Sequence, residues 1–152
     1  MTTDERVSLT EAGPESLAAI QQLAESVQEG AIGSGLRPLL LELLRIRASQ
    51  INGCAFCLAL HIRQALDAGE DQRRLDLLAA WRESTVFDAG ERAALAFTES
   101  ITLIHKGHLP DPVYRAAAAH FRRDQLVYLL WTVTVVNAYN RLAIATHTTG
   151  AP

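Results

Sequence analysis

The chain has 152 residues, which is the size of one domain. Hydrophobic residues make up 49% and charged residues 20%, a balance that excludes intrinsic disorder and allows a sizeable core. The formal net charge of -3 argues against a general nucleic-acid binder, because such proteins usually carry a basic field. We therefore predict a single domain over residues 1–152 that does not bind nucleic acid.

Proline, glycine and capping residues divide the chain into helix-length segments with apolar residues every three or four positions. The predicted helices cover, in chain order, residues 15–29, 36–51, 54–68, 70–81, 88–106, a short segment from 111, and 124–147. Gly30 and the Asn52-Gly53 pair are the predicted stops of the first two helices.

Two further start signals support the later helices. Asp88 followed by Glu91 resembles a capping box, and Asp111 before Pro112 predicts an N-cap with proline at the first helical position. No hairpin pattern or βαβ alternation occurs in the sequence. The predicted fold class is therefore all-α, a bundle of six or seven helices.

The first residues and the apolar runs of the sequence indicate where in the cell the protein is expected. The first residues, MTTDER, show neither an apolar stretch nor a small-residue cleavage site, so we predict no signal peptide. The longest mostly apolar run, 126–136, is about half of the ~20 residues needed to span a bilayer, so no membrane segment is predicted. We expect a cytoplasmic protein, where a C-x-x-C pair is more typical of catalysis or metal binding than of a structural bridge.

The two cysteines, Cys54 and Cys57, stand at the start of the third predicted helix. At about 100° per residue, Cys54, Cys57 and His61 share one face of that helix, with His61 one turn after Cys57. The unpaired N–H groups and the dipole of a first turn favour an anion, which lowers the pKa of a cysteine there and makes it a better nucleophile. Glu42 interrupts a leucine run on the preceding helix, and a hairpin at Asn52-Gly53 would turn it towards the cysteines as a proton acceptor or relay.

Other interpretations of these residues remain open. A glutamate in a leucine-rich helix is often a solvated flank, a single histidine is often structural, and paired cysteines are sometimes only buried. C-x-x-C-x-x-x-H also offers three zinc ligands, with a fourth to come from Glu42, His105, His108 or His147. A thioredoxin-type fold is excluded because it needs a βαβ context.

The segment from Glu42 to His61 resembles the alkylhydroperoxidase AhpD-like branch of the carboxymuconolactone decarboxylase superfamily. The shared pattern is a glutamate twelve positions before C-x-x-C-x-x-x-H. Two further stretches are similar to that branch, namely FDAGERAAL at 87–95 and NAYNRLAI at 137–144. The resemblance covers about residues 36–144.

This resemblance implies an AhpD-like helical bundle that reduces organic hydroperoxides with two thiols. Cys57 would be the peroxidatic cysteine and Cys54 its resolving partner, while Glu42 and His61 would relay the proton. An external dithiol or lipoyl-type carrier would reduce the disulfide, so neither a bound cofactor nor a metal is expected. Family members form trimers or hexamers, which implies a homo-oligomer here.

One position departs from the pattern, because the best-characterised relatives carry a second histidine where this chain has Phe56. That leaves the relay one titratable group short and favours a stand-alone member over a lipoyl-linked one. The alternative functions are a non-catalytic metal-binding or thiol redox-sensor module and a lyase or decarboxylase-type relative. The decarboxylase branch typically lacks the C-x-x-C pair.

The last predicted helix raises two further expectations. Arg141 is a charge within an apolar segment and should therefore have a partner, such as a carboxylate, in the active-site or interface network. Three aromatic residues at helical spacing should belong to the core or to a subunit interface. They are Tyr128, Trp131 and Tyr139.

Overall fold

Seven α-helices and no strand make up residues 6–149, the part of the chain that the computed structural model describes. They are α1 (Pro14–Gly33), α2 (Pro38–Asn52), α3 (Ala55–Asp67), α4 (Gln72–Leu77), α5 (Ala89–Thr102), α6 (Asp111–Ala118) and α7 (Arg123–Ala145), with a 3₁₀ turn (Leu78–Ala80) after α4. The prediction of an all-α bundle is confirmed. Within 6–149, no helix combines the length and the apolar character needed to cross a membrane.

The centre of the bundle is α2, which packs against α3, α5 and α7. Its leucine-rich sequence explains this place, because a helix with apolar side chains on more than one face is stable only when several neighbours cover it. Five of its large apolar side chains are at most 3% exposed, namely Leu40, Leu41, Leu43, Leu44 and Ile46. Burying a side chain of this size stabilises the fold by about 1.5–3 kcal/mol. Two polar residues of α2, Glu42 and Ser49, are buried together with these apolar side chains.

The predicted start of α5 is confirmed in its details. Asp88 Oδ1 accepts the backbone N–H of Glu91 at 2.8 Å, and Glu91 Oε2 accepts the backbone N–H of Asp88 at 2.9 Å, which completes a capping box. The predicted end at residue 106 was wrong, because α5 ends at Thr102 and the chain then turns. Gly107, with φ 98°, closes that turn in the left-handed region.

The predicted stop of α1 at Gly30 was also wrong. The helix continues to Gly33, and Gly30 is an interior position that lies against the ring of Tyr128. A Cβ at Gly30 would lie 2.3 Å from two carbon atoms of that ring. The glycine therefore allows α1 and α7 to approach each other closely rather than ending a helix.

Smaller boundary differences have local causes. Pro110, not Asp111, is the residue before α6, so Asp111 becomes its first helical residue. The predicted 70–81 helix is split into α4 and the 3₁₀ turn, and Asp71 caps α4 by accepting the backbone N–H of Arg73 at 2.9 Å. These differences lie away from the α2–α3 hairpin, which the prediction places correctly.

Candidate functional site

The α2–α3 turn places both cysteines at the beginning of α3. Gly53 ends α2 with φ 71°, a left-handed conformation that glycine adopts without strain. The backbone N–H of Cys54 then donates to the carbonyl of Ser49 at 3.1 Å, which closes the turn. Cys54 is the N-cap of α3, and its Sγ accepts the backbone N–H of Cys57 at 3.3 Å. The two cysteines are joined as a disulfide, with their Cα atoms 5.4 Å apart.

Glu42 contacts His61 across the same hairpin. Oε2 of Glu42 and Nδ1 of His61 are 2.9 Å apart, while Oε1 accepts Nη1 of Arg45 at 2.6 Å. Burial alone would raise the pKa of Glu42, but the hydrogen bond from His61 and the positive charge of Arg45 outweigh burial, so the pKa lies below its ordinary value. An ionised carboxylate only accepts hydrogen bonds, so Nδ1 of His61 is the protonated nitrogen. Nε2 of a neutral His61 is then free to take a proton.

Arg45 is a part of this site that the sequence did not reveal. Its Nη2 donates to Oε1 of Gln28 on α1 at 2.5 Å, so the guanidinium is held between Glu42 on its own helix and Gln28 on α1. The side chains of Arg45 and Glu42 are only 15% and 12% exposed. The spacing of three residues between Glu42 and Arg45 could have indicated their ion pair. The contact of Arg45 with Gln28 could not be predicted in this way, because Gln28 lies on another helix.

An apolar cavity of about 520 Å³ opens beside Cys57. Its walls come from α3 and α7 and from the segment 6–10 that precedes α1, and they include Phe56, Cys57, Leu60, His61, Tyr139 and Leu142. Cys54 is absent from this lining. The volume is in the range of sites that hold an organic ligand.

A second cavity, of about 580 Å³, also reaches His61, and we call it the polar cavity because most of its lining residues are polar or charged. Glu25, Gln28, Glu42, Arg45, Gln64 and Thr132 are among its lining residues. His61 and Tyr139 line both cavities. Tyr139 was predicted as core or interface, yet it forms a wall of the site, and burial together with the negative charge of Glu25 raises its pKa.

Asparagines tie the end of α2 to α7 below the cysteine turn. Nδ2 of Asn52 donates to Oδ1 of Asn137 at 2.9 Å and to Oδ1 of Asn140 at 2.8 Å. Asn140 is fully buried and donates to Oγ of Ser49 at 3.0 Å. Arg141 joins this network through the backbone and side-chain oxygens of Asn137, each at 3.0 Å, in place of the carboxylate that the sequence suggested.

The four residues singled out in the sequence thus belong to one hairpin: Glu42 from α2, and Cys54, Cys57 and His61 from the start and middle of α3. Within the described part of the chain, no three histidine, cysteine, aspartate or glutamate side chains are grouped as metal ligands. Cys54 and Cys57 bind each other, and Nδ1 of His61 faces Glu42. The arrangement offers a dithiol–disulfide couple beside an oriented imidazole.

A helical bundle that carries a C-x-x-C disulfide at a helix start, next to a Glu–His pair, defines an all-α protein with a thiol site. The chain belongs to the carboxymuconolactone decarboxylase family, whose pattern matches residues 14–100. YdfG of Bacillus subtilis, an uncharacterized protein, is 36% identical over 93% of each chain. The predicted family is confirmed.

Two solved structures show how the fold is shared. A protein of unknown function from Agrobacterium tumefaciens, proposed to be an antioxidant defence protein AhpD, has a TM-score of 0.89 at 32% identity, over 96% of this chain and 97% of its own. The debrominase Bmp8, in complex with a tribromopyrrole, has a TM-score of 0.75 at 15% identity, over 92% of this chain and 73% of its own. The second likeness concerns the fold alone.

Proposed function

We propose that this AhpD-like protein is a thiol-dependent peroxidase that reduces organic hydroperoxides. The observation that carries the proposal is that Cys57 and His61 line one apolar cavity, while an ionised Glu42 orients the imidazole from behind. A nucleophilic sulfur, a proton acceptor and space for an apolar substrate therefore meet at one point. The family membership and the Cys54–Cys57 pair agree with this role.

In the proposed reaction, Nε2 of His61 takes the proton of the Cys57 thiol. The thiolate attacks the terminal oxygen of the hydroperoxide, the O–O bond breaks, and the alkoxide leaves as an alcohol with the proton that His61 returns. Cys57 is then a sulfenic acid. The Cys54 thiol attacks its sulfur, which releases water and forms the disulfide. An external dithiol restores both thiols and is itself oxidised to a disulfide.

The cavity favours an organic hydroperoxide over hydrogen peroxide. Its volume of about 520 Å³ is many times the ~30 Å³ share of a water-sized molecule. An alkyl or aryl group would bury apolar surface against Phe56, Leu60 and Leu142, at about 25 cal/mol per Å². Hydrogen peroxide would make few of these contacts, so the difference should be seen mainly in KM.

The test is the consumption of cumene hydroperoxide with dithiothreitol as reductant. We expect turnover by the wild type, none above background by Cys57→Ser, and a sulfenic acid that dimedone traps in Cys54→Ser. Circular dichroism of both variants checks that the bundle is intact. Turnover by Cys57→Ser at the wild-type rate, or a folded wild type that consumes no hydroperoxide, would refute the proposal.

We also propose that the chain assembles with copies of itself. One face of α7 carries three large apolar side chains that are 51%, 44% and 41% exposed, namely Val127, Leu130 and Trp131. Adjacent exposed apolar residues of this kind are typical of an interface. Sedimentation should give a multiple of the monomer mass for the wild type and a smaller species for Trp131→Glu. A monomeric wild type would contradict the assembly.

A further inference from the structure

The reducing half of the cycle leaves open which sulfur the reductant attacks. We propose, on the basis of the peroxidase function above, that the reductant is a small uncharged dithiol that enters the apolar cavity beside Cys57. Its thiolate attacks Sγ of Cys57, and Cys54 is the leaving thiolate. Peroxide and reductant would then use one entrance in turn.

The first argument is access. Both cysteines are buried, Cys57 at 4% and Cys54 at 1% exposure, but Cys57 lines the apolar cavity and Cys54 does not. Attack on a disulfide requires the thiolate to approach the sulfur that it will bond. A molecule in the cavity beside Cys57 therefore meets Sγ of Cys57 before that of Cys54.

The second argument is the stability of the leaving group. Sγ of Cys54 accepts the backbone N–H of Cys57 at the N-cap of α3, where the helix dipole also favours a negative charge. Thiol–disulfide exchange is faster when the leaving sulfur is a stabilised anion. The geometry of the turn therefore favours departure of Cys54 and retention of the new bond at Cys57.

Two sulfur–sulfur bonds form and two break in this exchange. The first sulfur of the dithiol bonds to Cys57, and the electron pair of the Cys54–Cys57 bond goes to Cys54. The second sulfur of the reductant then attacks the first, which releases Cys57 as a thiolate and leaves the reductant as a cyclic disulfide. Its two protons end on Cys54 and Cys57.

The walls of the cavity indicate the class of reductant. Leu17, Phe56, Leu60 and Leu142 give it an apolar interior. Among the lining residues within 6–149, the one side chain that is always charged is Arg6, which is exposed and donates to the carbonyl of Ala145 at 3.2 Å. A reductant with several carboxylates would lose their hydration on entry with little to replace it. An uncharged dithiol avoids this cost.

The attacked sulfur can be identified without any peroxide. Oxidised wild-type protein is mixed with excess 2-mercaptoethanol, quenched at the earliest times with N-ethylmaleimide and digested with trypsin. The peptide 48–63 contains both cysteines, and its fragmentation between them assigns each modification. We expect mercaptoethanol on Cys57 and maleimide on Cys54 by at least about ten to one, which corresponds to 1.4 kcal/mol. Equal labelling, or mercaptoethanol mainly on Cys54, would overturn the proposal.

The shared entrance is tested with a cavity-narrowing variant and a matched control. Ala143 lines the cavity and Ala116 lies exposed on α6, so Ala143→Leu and Ala116→Leu make the same change in different places. We expect Ala143→Leu to slow both oxidation by cumene hydroperoxide and reduction by dithiothreitol about ten-fold, while Ala116→Leu changes neither. An Ala143→Leu protein that is folded, oxidised slowly and reduced at the wild-type rate would require a second entrance and would refute the proposal.

The reductant class is tested with two vicinal dithiols that differ in charge. Reduction of the wild-type disulfide by 2,3-dimercaptopropanol should be at least about ten-fold faster than by dimercaptosuccinate. Equal rates would overturn the uncharged class. Because the labelling experiment and the comparison of dithiols use no hydroperoxide, a protein that passes both but does not turn over peroxide would refute only the peroxidase function.

Discussion

Replacing Arg45 with methionine tests whether its charge holds Glu42 in the ionised state. Methionine keeps much of the side-chain volume but removes the guanidinium that donates to Glu42 at 2.6 Å and to Gln28 at 2.5 Å. The carboxylate then keeps only His61 as a partner. We expect Arg45→Met to lower stability and to raise the pKa of Glu42.

The size of the effect follows from burial. Removing one partner of a fully buried ion pair typically costs 3–5 kcal/mol, because the other charge is left uncompensated. Here the two side chains retain 15% and 12% exposure, and His61 still donates to Glu42, so we expect about 2 kcal/mol. For a domain of this size that corresponds to a fall in Tm of about 4–8 °C.

The pH dependence gives the sharper test. Because the folded-state pKa of Glu42 lies below 4.5, its ionised form stabilises the wild type above that value, and this stabilisation is lost as the pH falls through the lowered pKa. The Tm values of wild type and Arg45→Met should therefore differ most near neutral pH and converge below pH 4.5. The acidic limb of kcat/KM for hydroperoxide should shift to higher pH in the variant.

The control is Arg115→Met. Arg115 pairs with Asp111 at 3.8 Å, and both side chains are largely exposed, so this change should leave Tm and the pH profile as in the wild type. If Arg45→Met behaves like Arg115→Met, or if its Tm difference from the wild type is as large at pH 4 as at pH 7, the electrostatic role of Arg45 is refuted.

Two other substitutions test contacts that hold the helices around the site. Gly30→Ala places a Cβ 2.3 Å from the ring of Tyr128 and should cost about 1–3 kcal/mol in urea unfolding, whereas Gly33→Ala meets no atom within 4 Å and should be neutral or stabilising. Equal midpoints for these two variants would contradict the close packing of α1 on α7. Asn140→Ala removes an acceptor from Asn52 and a donor from the Ser49 hydroxyl, and should cost about 2 kcal/mol. An unchanged urea midpoint would show that the network does not support the cysteine turn.

The local part of the site could be predicted because it depends on short-range geometry. The spacing of Cys57 and His61 places them one helical turn apart, and the Asn52-Gly53 break indicates the hairpin that brings Glu42 to the imidazole. The resemblance then supplied a chemistry that the spacing alone left open between thiol catalysis and metal binding. These inferences need only one helix, one turn and the helix before it.

The parts that the sequence did not reveal depend on contacts between distant segments. Tyr139 forms a wall of both cavities only because α7 packs beside α3, and nothing within α7 distinguishes a cavity wall from a core residue. The predicted helix stop at Gly30 was wrong because glycine is typical both of helix ends and of close contacts between helices. Only the position of the Tyr128 ring shows that Gly30 belongs to a close contact. The spacing of apolar residues predicts which face of a helix is buried. Which residues that face contacts depends on how the helices pack against one another.

The two cavities also explain why His61, rather than Glu42, should move the proton in the proposed peroxidase. Glu42 lines the polar cavity only, whereas His61 lines both and has Nδ1 fixed by the carboxylate. A substrate that fills the apolar side shields Cys57 from water but leaves the polar side of the imidazole open to solvent. Nε2 of His61 can therefore carry the proton between Cys57 and the leaving alkoxide while the reacting sulfur stays dry, and Glu42 contributes by fixing the tautomer. On this reasoning, Glu42→Gln should lower kcat more than it changes KM, since it disturbs proton transfer without touching the substrate cavity.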